Sequence, residues 1–375
     1  MFDALTLKPE AFGLDISDLS LKIVKLKKQN KFLKLSSCGE AEIKQGIIEK
    51  GEIKDCRALS EIIKNALKNV KGEKLNTNYV VASLPEEKSF LQVIQLPKMK
   101  EEEMKKAIHF EAENYVPLPI GQLYLDFQIV APLRNHIDHL DVLIAALPKK
   151  TVDPYLSCLK DAGLKPIVFE IESQAIARSL VKNEISPFPL LLIDLGATRT
   201  SFIIFSGRSL QFTSFIPISS QNFTEAISKN LKINLEEAEK FKKKYGLEDV
   251  TGLKMYNGIK AIGEKEEIFE SLVPSLTDLI EQIKKYSNYY KTHSPHEHLS
   301  PDSKGIKKIL LSGGGANLKG LANFLSSELR IPVEMANPWV NILSKDKREV
   351  PQLPFEDSLS FTTALGLALR GVRNN

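Results

Sequence analysis

Two stretches decide the reading of this chain: residues 14–26, LDISDLSLKIVKL, and residues 193–205, IDLGATRTSFIIF. Laid over one another, they pair Asp15 with Asp194 and Ser17 with Gly196. Each Asp closes an apolar run and is followed by a small residue, a second apolar run and a turn. Leucine and β-branched residues at this density, bounded by small polar ones, are the pattern of buried strands joined tightly. The repetition predicts a duplicated α/β architecture, two halves opened by the same strand–Asp–turn–strand unit.

Outward from these units the pattern alternates. Leu59, Ile62, Ile63, Ala66, Leu67 and Val70 line one face of a helix at about 57–70, and YVVASLP at 79–85 is a buried strand. Residues 86–150 read as a separate α+β insertion between two prolines. A helix at about 151–163 stops at Gly163, and PIVFEIE ends a strand at Glu172, ahead of a helix at 173–183. The second half restarts at Pro187–Pro189. Helices follow at about 222–230, 235–245 and 266–290, the second with Asn234 and Glu237 in capping-box spacing. KILLSGGGANLKGLANFLSSEL (308–329) is strand, glycine turn and helix, and SLSFTTALGLALRG (358–371) closes the chain as an apolar helix.

Composition narrows the function classes. The 375 residues carry 51 basic and 47 acidic side chains, a net charge of +4. That is too weak to argue for nucleic acid, whose binders carry a concentrated basic face. The start lacks a signal-peptide pattern, and the apolar runs fall far short of the ~20 residues of a membrane span. A cytoplasmic protein is expected. Cys38, Cys56 and Cys158 are scattered and odd in number, which argues against a disulfide framework and for a reducing compartment.

Three turns could hold an anion: DISDLSLK (15–22), DLGATRTS (194–201) and SGGGANLKG (312–320). Small and hydroxyl residues after a strand let backbone N–H groups approach phosphate, and a helix after Gly315 would add its positive end. Asp15 and Asp194 suit hydrated Mg²⁺, which takes one or two carboxylates plus phosphate oxygens. His293, His296 and His298, and likewise His136 and His139, read as loop residues, not a metal site. The basic run 240–244 reads as an exposed helix face.

In this order and spacing the three turns resemble the phosphate and adenosine loops of the actin-like ATPase superfamily. The stretches 96–127, 220–246, ANPW (336–339) and ALGLALRGV (364–372) resemble, within it, the PilM family of type IV pilus assembly proteins. The resemblance implies a duplicated, ribonuclease H-like fold with ATP and Mg²⁺ in the cleft between its halves. It implies subdomain 1A at 1–85 with 151–187 and 356–375, 1C at 86–150, 2A at 188–226 with 305–355, and 2B at 227–304. By position it assigns Asp15, Ser17, Ser20 and Lys22, with Asp194, Gly196, Ala197, Thr198 and Thr200, to the phosphates, Asp15 and Asp194 also holding Mg²⁺ through water. Gly313, Gly314, Gly315 and Asn317 would flank the adenosine, and Glu239 and Lys242 would lie near ribose and base. Glu172 matches the water-positioning residue, the other reading being a solvated carboxylate at a helix N-terminus.

The family usually has Gly at Ser17 and a small polar residue at Asp18. A carboxylate at Asp18 would repel phosphates unless Mg²⁺ or Lys22 compensates, so at most slow hydrolysis and a structural ATP are expected. The resemblance further implies a cytoplasmic scaffold, peripheral to the inner membrane. It would bind the cytoplasmic N-terminal tail of a PilN-like bitopic protein in a groove between 1A and 1C, near YVPLP (115–119). Contacts with pilus motor or platform proteins and self-association stay open. The alternatives are an FtsA-like cell-division protein, against which the lack of a terminal amphipathic anchor after GVRNN is expected to speak, and a small-molecule kinase of the same superfamily.

Overall fold

The computed structural model describes residues 9–29, 32–116, 118–131, 139–247, 264–293, 305–343 and 353–373. The chain divides into two compact units. One comprises Met1–Pro187, Phe205–Ser214 and Asn337–Asn375, the other Phe188–Ile204 and Phe215–Ala336.

In the first unit, β1 (Phe12–Ile16) is buried along its whole length, as a strand covered on both faces must be. β2 (Ser20–Gln29) and β3 (Phe32–Glu42) fold back antiparallel, setting Asp15 opposite Lys22 and Lys22 opposite Glu40. β4 (Ile48–Glu49) and β5 (Glu52–Ile53) form a small hairpin. α1 (Cys56–Lys68) starts where Asp55 accepts the Ala58 N–H, and it buries Leu59, Ile63 and Ala66 of its predicted face. After β6 (Lys71–Gly72) and β7 (Tyr79–Leu84) comes the expected insertion. It comprises β8 (Phe90–Pro97), α2 (Glu101–Tyr115), β9 (Leu123–Val130) and β10 (His139–Pro148). Its antiparallel sheet runs β8-β10-β9, and Met104 and Ile108 of α2 pack on Ile94, Leu96, Val142 and Ile144. α3 (Lys149–Asp161), β11 (Lys165–Ile171) and α4 (Glu172–Leu180) complete this part. Gly163 takes φ 83° at the end of α3, the stop read from the sequence.

The second unit takes most of β12 (Ser186–Leu195) and of β13 (Thr200–Gly207), only the end of β14 (Ser209–Ile216), and all of α5 (Ser220–Leu231), α6 (Leu235–Tyr245), α7 (Glu264–His293), β15 (Lys308–Ser312), α8 (Leu321–Leu329) and β16 (Val333–Met335). Asn234 caps α6 by accepting the Glu237 N–H at 2.9 Å, as its spacing predicted. The duplication is visible in the sheets. One runs β11-β7-β1-β2-β3-β6 and the other β14-β13-β12-β15-β16. In both, the Asp-bearing strand sits between its hairpin partner and a parallel strand, with a second parallel strand beyond.

The closing helices α9 (Phe355–Ser360) and α10 (Thr362–Arg373) belong to the first unit. α10 packs so closely on α4 that a Cβ at Gly366 would sit 1.9 Å from the Ala175 carbonyl oxygen. One expectation is corrected. Cys56 and Cys158, 102 residues apart, form a disulfide across α1 and α3, with Cα atoms 5.3 Å apart, because those helices pack together. Cys38 alone is free, and buried. The helix expected after the glycine turn is α8, reached from β15 through a short 3₁₀ turn, Gly314–Asn317.

Candidate functional site

In the first unit, the parallel strands β1, β7 and β11 bring their carboxyl ends together, the edge at which α/β sheets take ligands. Ile16 N–H donates to Ser83 Oγ at 2.9 Å, tying the first turn to the end of β7. Within the turn, Ser17 donates through both N–H and Oγ to the Ser20 carbonyl, each at 2.9 Å. Lys22, buried on β2, donates to Ser20 Oγ at 2.7 Å and pairs with Glu40 at 3.2 Å. Asp15 lies directly across from it, so Asp15, Lys22 and Glu40 share one face of the sheet.

Asp18, in the same turn, is held by a neighbouring hairpin. Its carboxylate accepts backbone N–H groups from Lys50 at 3.1 Å and Gly51 at 3.0 Å, where φ values of 49° and 72° turn the β4–β5 hairpin. The carboxylate is a buried cap for that hairpin.

Glu172 opens α4 at the end of β11 and is buried, not solvated. It makes a reciprocal pair with Glu86, a residue the sequence reading passed over. Glu86 N–H donates to Glu172 Oε2 and Ser173 N–H donates to Glu86 Oε2, both at 3.3 Å. Burial pushes the Glu86 carboxyl above its ordinary 4.5, the negative charge of Glu172 adding to the effect against hydrogen bonds from Ser173 and Thr213. The one sequence signal for Glu86 was an acid directly after a buried strand and Pro85.

In the second unit, register places Asp194 beside Ser312, so the second phosphate-type turn and the glycine turn leave adjacent parallel strands. They are packed to backbone distance. A Cβ on Gly313, which has φ 82°, would lie 2.5 Å from the Leu195 carbonyl oxygen, and one on Gly315 would lie 2.6 Å from Leu195 Cγ. Such a cradle admits no side chain there. Gly196 donates its N–H to the Arg199 carbonyl at 2.9 Å, and the Gly196 and Ala197 carbonyls accept the Ser220 and Gln221 N–H groups that open α5. Thr200 donates to the Ile218 carbonyl at 2.6 Å. Ala197, Gly314 and Asn317 are exposed, and Thr198 half-buried.

α6 adds the pair expected near ribose and base. Lys242 is buried and lies 2.7 Å from Glu239. It donates to the Ser220 carbonyl at 2.9 Å, and to Ser220 Oγ and Thr224 Oγ1 at 2.8 Å each. Burial lowers the Lys242 ammonium below its ordinary value. At Glu239 burial acts upward, but hydrogen bonds from Lys242 and Thr224 outweigh it and hold the carboxyl down. We read the pair as ionised, because these partners favour both charges. The assigned residues therefore form two sets. Asp15, Ser17, Ser20, Lys22 and Glu172 gather in the first unit, and the rest in the second.

Other candidates resolve simply. His139 contacts Gln95 at 3.1 Å and lies 3.5 Å from Asp141, and His293 stacks on Tyr289 at the end of α7. His136, His296 and His298 lie outside the described residues. Among the described residues no three potential ligands cluster as a metal site, and no helix is long and apolar enough to cross a membrane. A groove of about 450 Å³ runs among β9, β10, α3 and β11 in the first unit. Of the YVPLP stretch, Val116 is packed with Leu123 and Ala146, and Pro117 is outside the described residues.

Comparison with known proteins agrees with this architecture. A solved "PilM-PilN type IV pilus biogenesis complex" is 29% identical, covers 98% of this chain and 99% of that one, and has a TM-score of 0.78. MreB 5 of Spiroplasma citri bound to AMPPNP is 14% identical with a TM-score of 0.56, over 99% of this chain and 98% of that one, a likeness of fold. The cell division proteins FtsA of Neisseria meningitidis serogroup B and Bacillus subtilis are 24% and 26% identical over 56% and 49% of this chain. The matches span 49% and 43% of those proteins, so the chain spans about half the length of these curated relatives, and the cell-division likeness is distant. The fold is the duplicated actin-like ATPase fold. Residues 13–372 match the family model described as type IV pilus assembly protein PilM, and the chain belongs to that family.

Proposed function

We propose that this chain is an ATP-binding, actin-like scaffold of the inner-membrane platform of type IV pilus assembly. It works in the cytoplasm and reaches the membrane by holding the cytoplasmic N-terminal tail of a PilN-like bitopic protein. The observation carrying this reading is the likeness over 98% of the chain, at 29% identity, to a PilM–PilN complex. Residues 86–150, as subdomain 1C, and the groove beside β9 are the proposed tail site. Capture of an extended peptide beside a sheet edge suits such a tail.

For ATP, the support is the chemistry of the two sets. Asp15, Ser17, Ser20 and Lys22, with Asp194, Gly196, Ala197, Thr198 and Thr200, would take the phosphates. Gly313, Gly314, Gly315 and Asn317 would flank adenosine, and Glu239 and Lys242 the ribose and base. The cradle against Leu195 suits a group that must approach backbone. Asp15 and Asp194, hard oxygen donors at strand ends, suit Mg²⁺ held through water. Glu172 would orient the attacking water, its own position set by Glu86. Bound ATP would stabilise the fold by mass action whether or not it is turned over.

The test is to purify the full chain, release and identify its nucleotide, and titrate the tail peptide of the neighbouring bitopic protein by calorimetry. Bound or Mg²⁺-dependent ATP and a saturable tail isotherm are expected. No nucleotide even with added ATP and Mg²⁺ overturns the ATP reading, and a flat isotherm overturns the partner reading.

A further inference from the structure

The chain has three cysteines, and the fold joins two of them from positions 102 residues apart. Cys56 opens α1, and Cys158 sits near the end of α3. The two helices are also docked by contacts in which sulfur takes no part. Ser60 of α1 is buried, and its single O–H is shared between the carbonyl oxygens of Cys56, at 2.7 Å, and Cys158, at 3.0 Å. Leu59, Ile63 and Ala66 of α1 lie in one apolar cluster with Val152, Tyr155 and Leu159 of α3. The Tyr155 hydroxyl donates to the Gly51 carbonyl at 3.2 Å, on the hairpin just ahead of α1. These contacts survive opening of the bond, so reduction leaves two thiols side by side in a folded unit.

Exposure of the pair is asymmetric. Cys158 is 1% exposed, whereas Cys56 is half-buried, so a reagent from solvent reaches the pair from the Cys56 side. Cys38, on β3, is buried and free, and burial pushes its thiol up, which keeps it protonated and out of exchange. Oxidation therefore has one intramolecular product. In a reducing cytosol disulfides are rare, and those that form are as a rule transient and redox-sensing.

We infer that Cys56 and Cys158 form a reversible thiol–disulfide site, Cys56 meeting the oxidant and Cys158 resolving it, with a low-molecular-weight disulfide such as glutathione disulfide as substrate. This goes beyond the proposed function and takes from it only the cytoplasmic placement. The Cys56 thiolate attacks one sulfur of glutathione disulfide, forms a mixed disulfide and releases one glutathione thiolate. The Cys158 thiolate then attacks Cys56 Sγ, breaks its bond to glutathione and releases the second. The two protons lost by the cysteines go to the two glutathione thiolates. Two protein thiols are oxidised by two electrons, and one glutathione disulfide is reduced to two glutathiones. Reduced glutathione runs the steps backwards. The bond locks onto α1 the helix that carries the insertion, because α3 follows β10 directly. Its early residues are tied to the insertion as well, Asp153 by the Tyr124 hydroxyl at 2.9 Å and Lys149 to the Gly121 carbonyl at 2.8 Å.

The experiment equilibrates the full chain, without air, in glutathione buffers from fully reduced to fully oxidised. Thiols are trapped by alkylation and mapped by mass spectrometry in wild type, Cys38→Ser and Cys158→Ser. Wild type is expected to pass from three free thiols to one, along the same curve from either direction, and Cys38→Ser to share its midpoint. Cys158→Ser should stop at the mixed disulfide, with glutathione on Cys56. Reduced wild type should keep its circular dichroism, and amide exchange in α3 should slow about tenfold or more on oxidation. A bond that stays closed in excess reduced glutathione is a permanent staple and overturns the inference. So does a pair that stays open in excess glutathione disulfide, or a Cys158→Ser chain that carries no glutathione on Cys56. Loss of the fold on reduction, or equal α3 exchange in both states, overturns it too. None of these readouts involves nucleotide or tail, so failure here leaves the proposed function standing.

Discussion

Gly51 donates its backbone N–H to Oδ1 of Asp18 at 3.0 Å, across 33 residues of chain, and Lys50 donates to Oδ2 of the same carboxylate at 3.1 Å. The residue that looked like an obstacle to phosphate is thus the cap of a neighbouring hairpin. Asp18→Ala leaves two N–H groups without their acceptor, and it should lower stability by about 1–3 kcal/mol while nucleotide affinity stays within a few-fold. Denaturant unfolding and nucleotide titration check this. Unchanged stability with much tighter ATP would mean that Asp18 faces the phosphates after all.

Gly313→Ala tests the cradle. Its Cβ would meet the Leu195 carbonyl oxygen at 2.5 Å, from a left-handed φ of 82°. The variant should lose its nucleotide and unfold at least several degrees lower, since strain of this kind costs about 1–3 kcal/mol. Gly305, where a Cβ meets nothing within 4 Å, is the control, and Gly305→Ala should behave as wild type.

Lys242 anchors α6 to the first turn of α5, which in turn rests on the Gly196 and Ala197 carbonyls. Lys242→Met strands Glu239 and should cost about 2 kcal/mol of stability together with nucleotide retention. Adding Glu239→Gln should restore part of the stability and none of the binding. A double variant no more stable than the single one would show that the pair is not coupled.

Glu86 carries a pH signature. Its carboxyl is raised by burial above the ordinary 4.5, so the folded state holds that proton more tightly than the unfolded chain. The resulting stabilisation is fully present below 4.5 and disappears as pH climbs through the folded value. Glu86→Gln keeps an oxygen for the Ser173 N–H and cannot ionise. Urea midpoints should fall with rising pH more steeply in wild type than in Glu86→Gln, the variant being the more stable above the window. Parallel curves would remove Glu86 as the source.

The Cys56–Cys158 bridge closes a long loop, 102 residues in separation. In oxidised protein, reduction or Cys56→Ser should lower the unfolding free energy by up to ~4–5 kcal/mol on chain-entropy grounds. Equal unfolding curves with and without reductant would argue that the bridge does not form.

Much of the frame was legible because it is written locally. Asn234 and Glu237 are three residues apart, and their cap formed as read. The apolar face of α1 buried as its spacing required. The insertion after Pro85 folded as strands and a helix because alternation and periodicity act within each segment. The helix after the glycine turn formed as α8, while the 3₁₀ tightening of the turn itself is not something glycine spacing states.

What the sequence determined by itself was the repeated strand–Asp–turn–strand unit, and through it the fold, since buried strands and tight turns demand particular residue types at neighbouring positions. Tertiary structure decided the fate of individual polar groups. Asp18 found Gly51, Glu86 found Glu172 86 residues away, and Cys56 found Cys158. A side chain's partner is set by which segments the packed sheets and helices bring within about 3 Å, and that distance is not encoded in any one stretch of the chain.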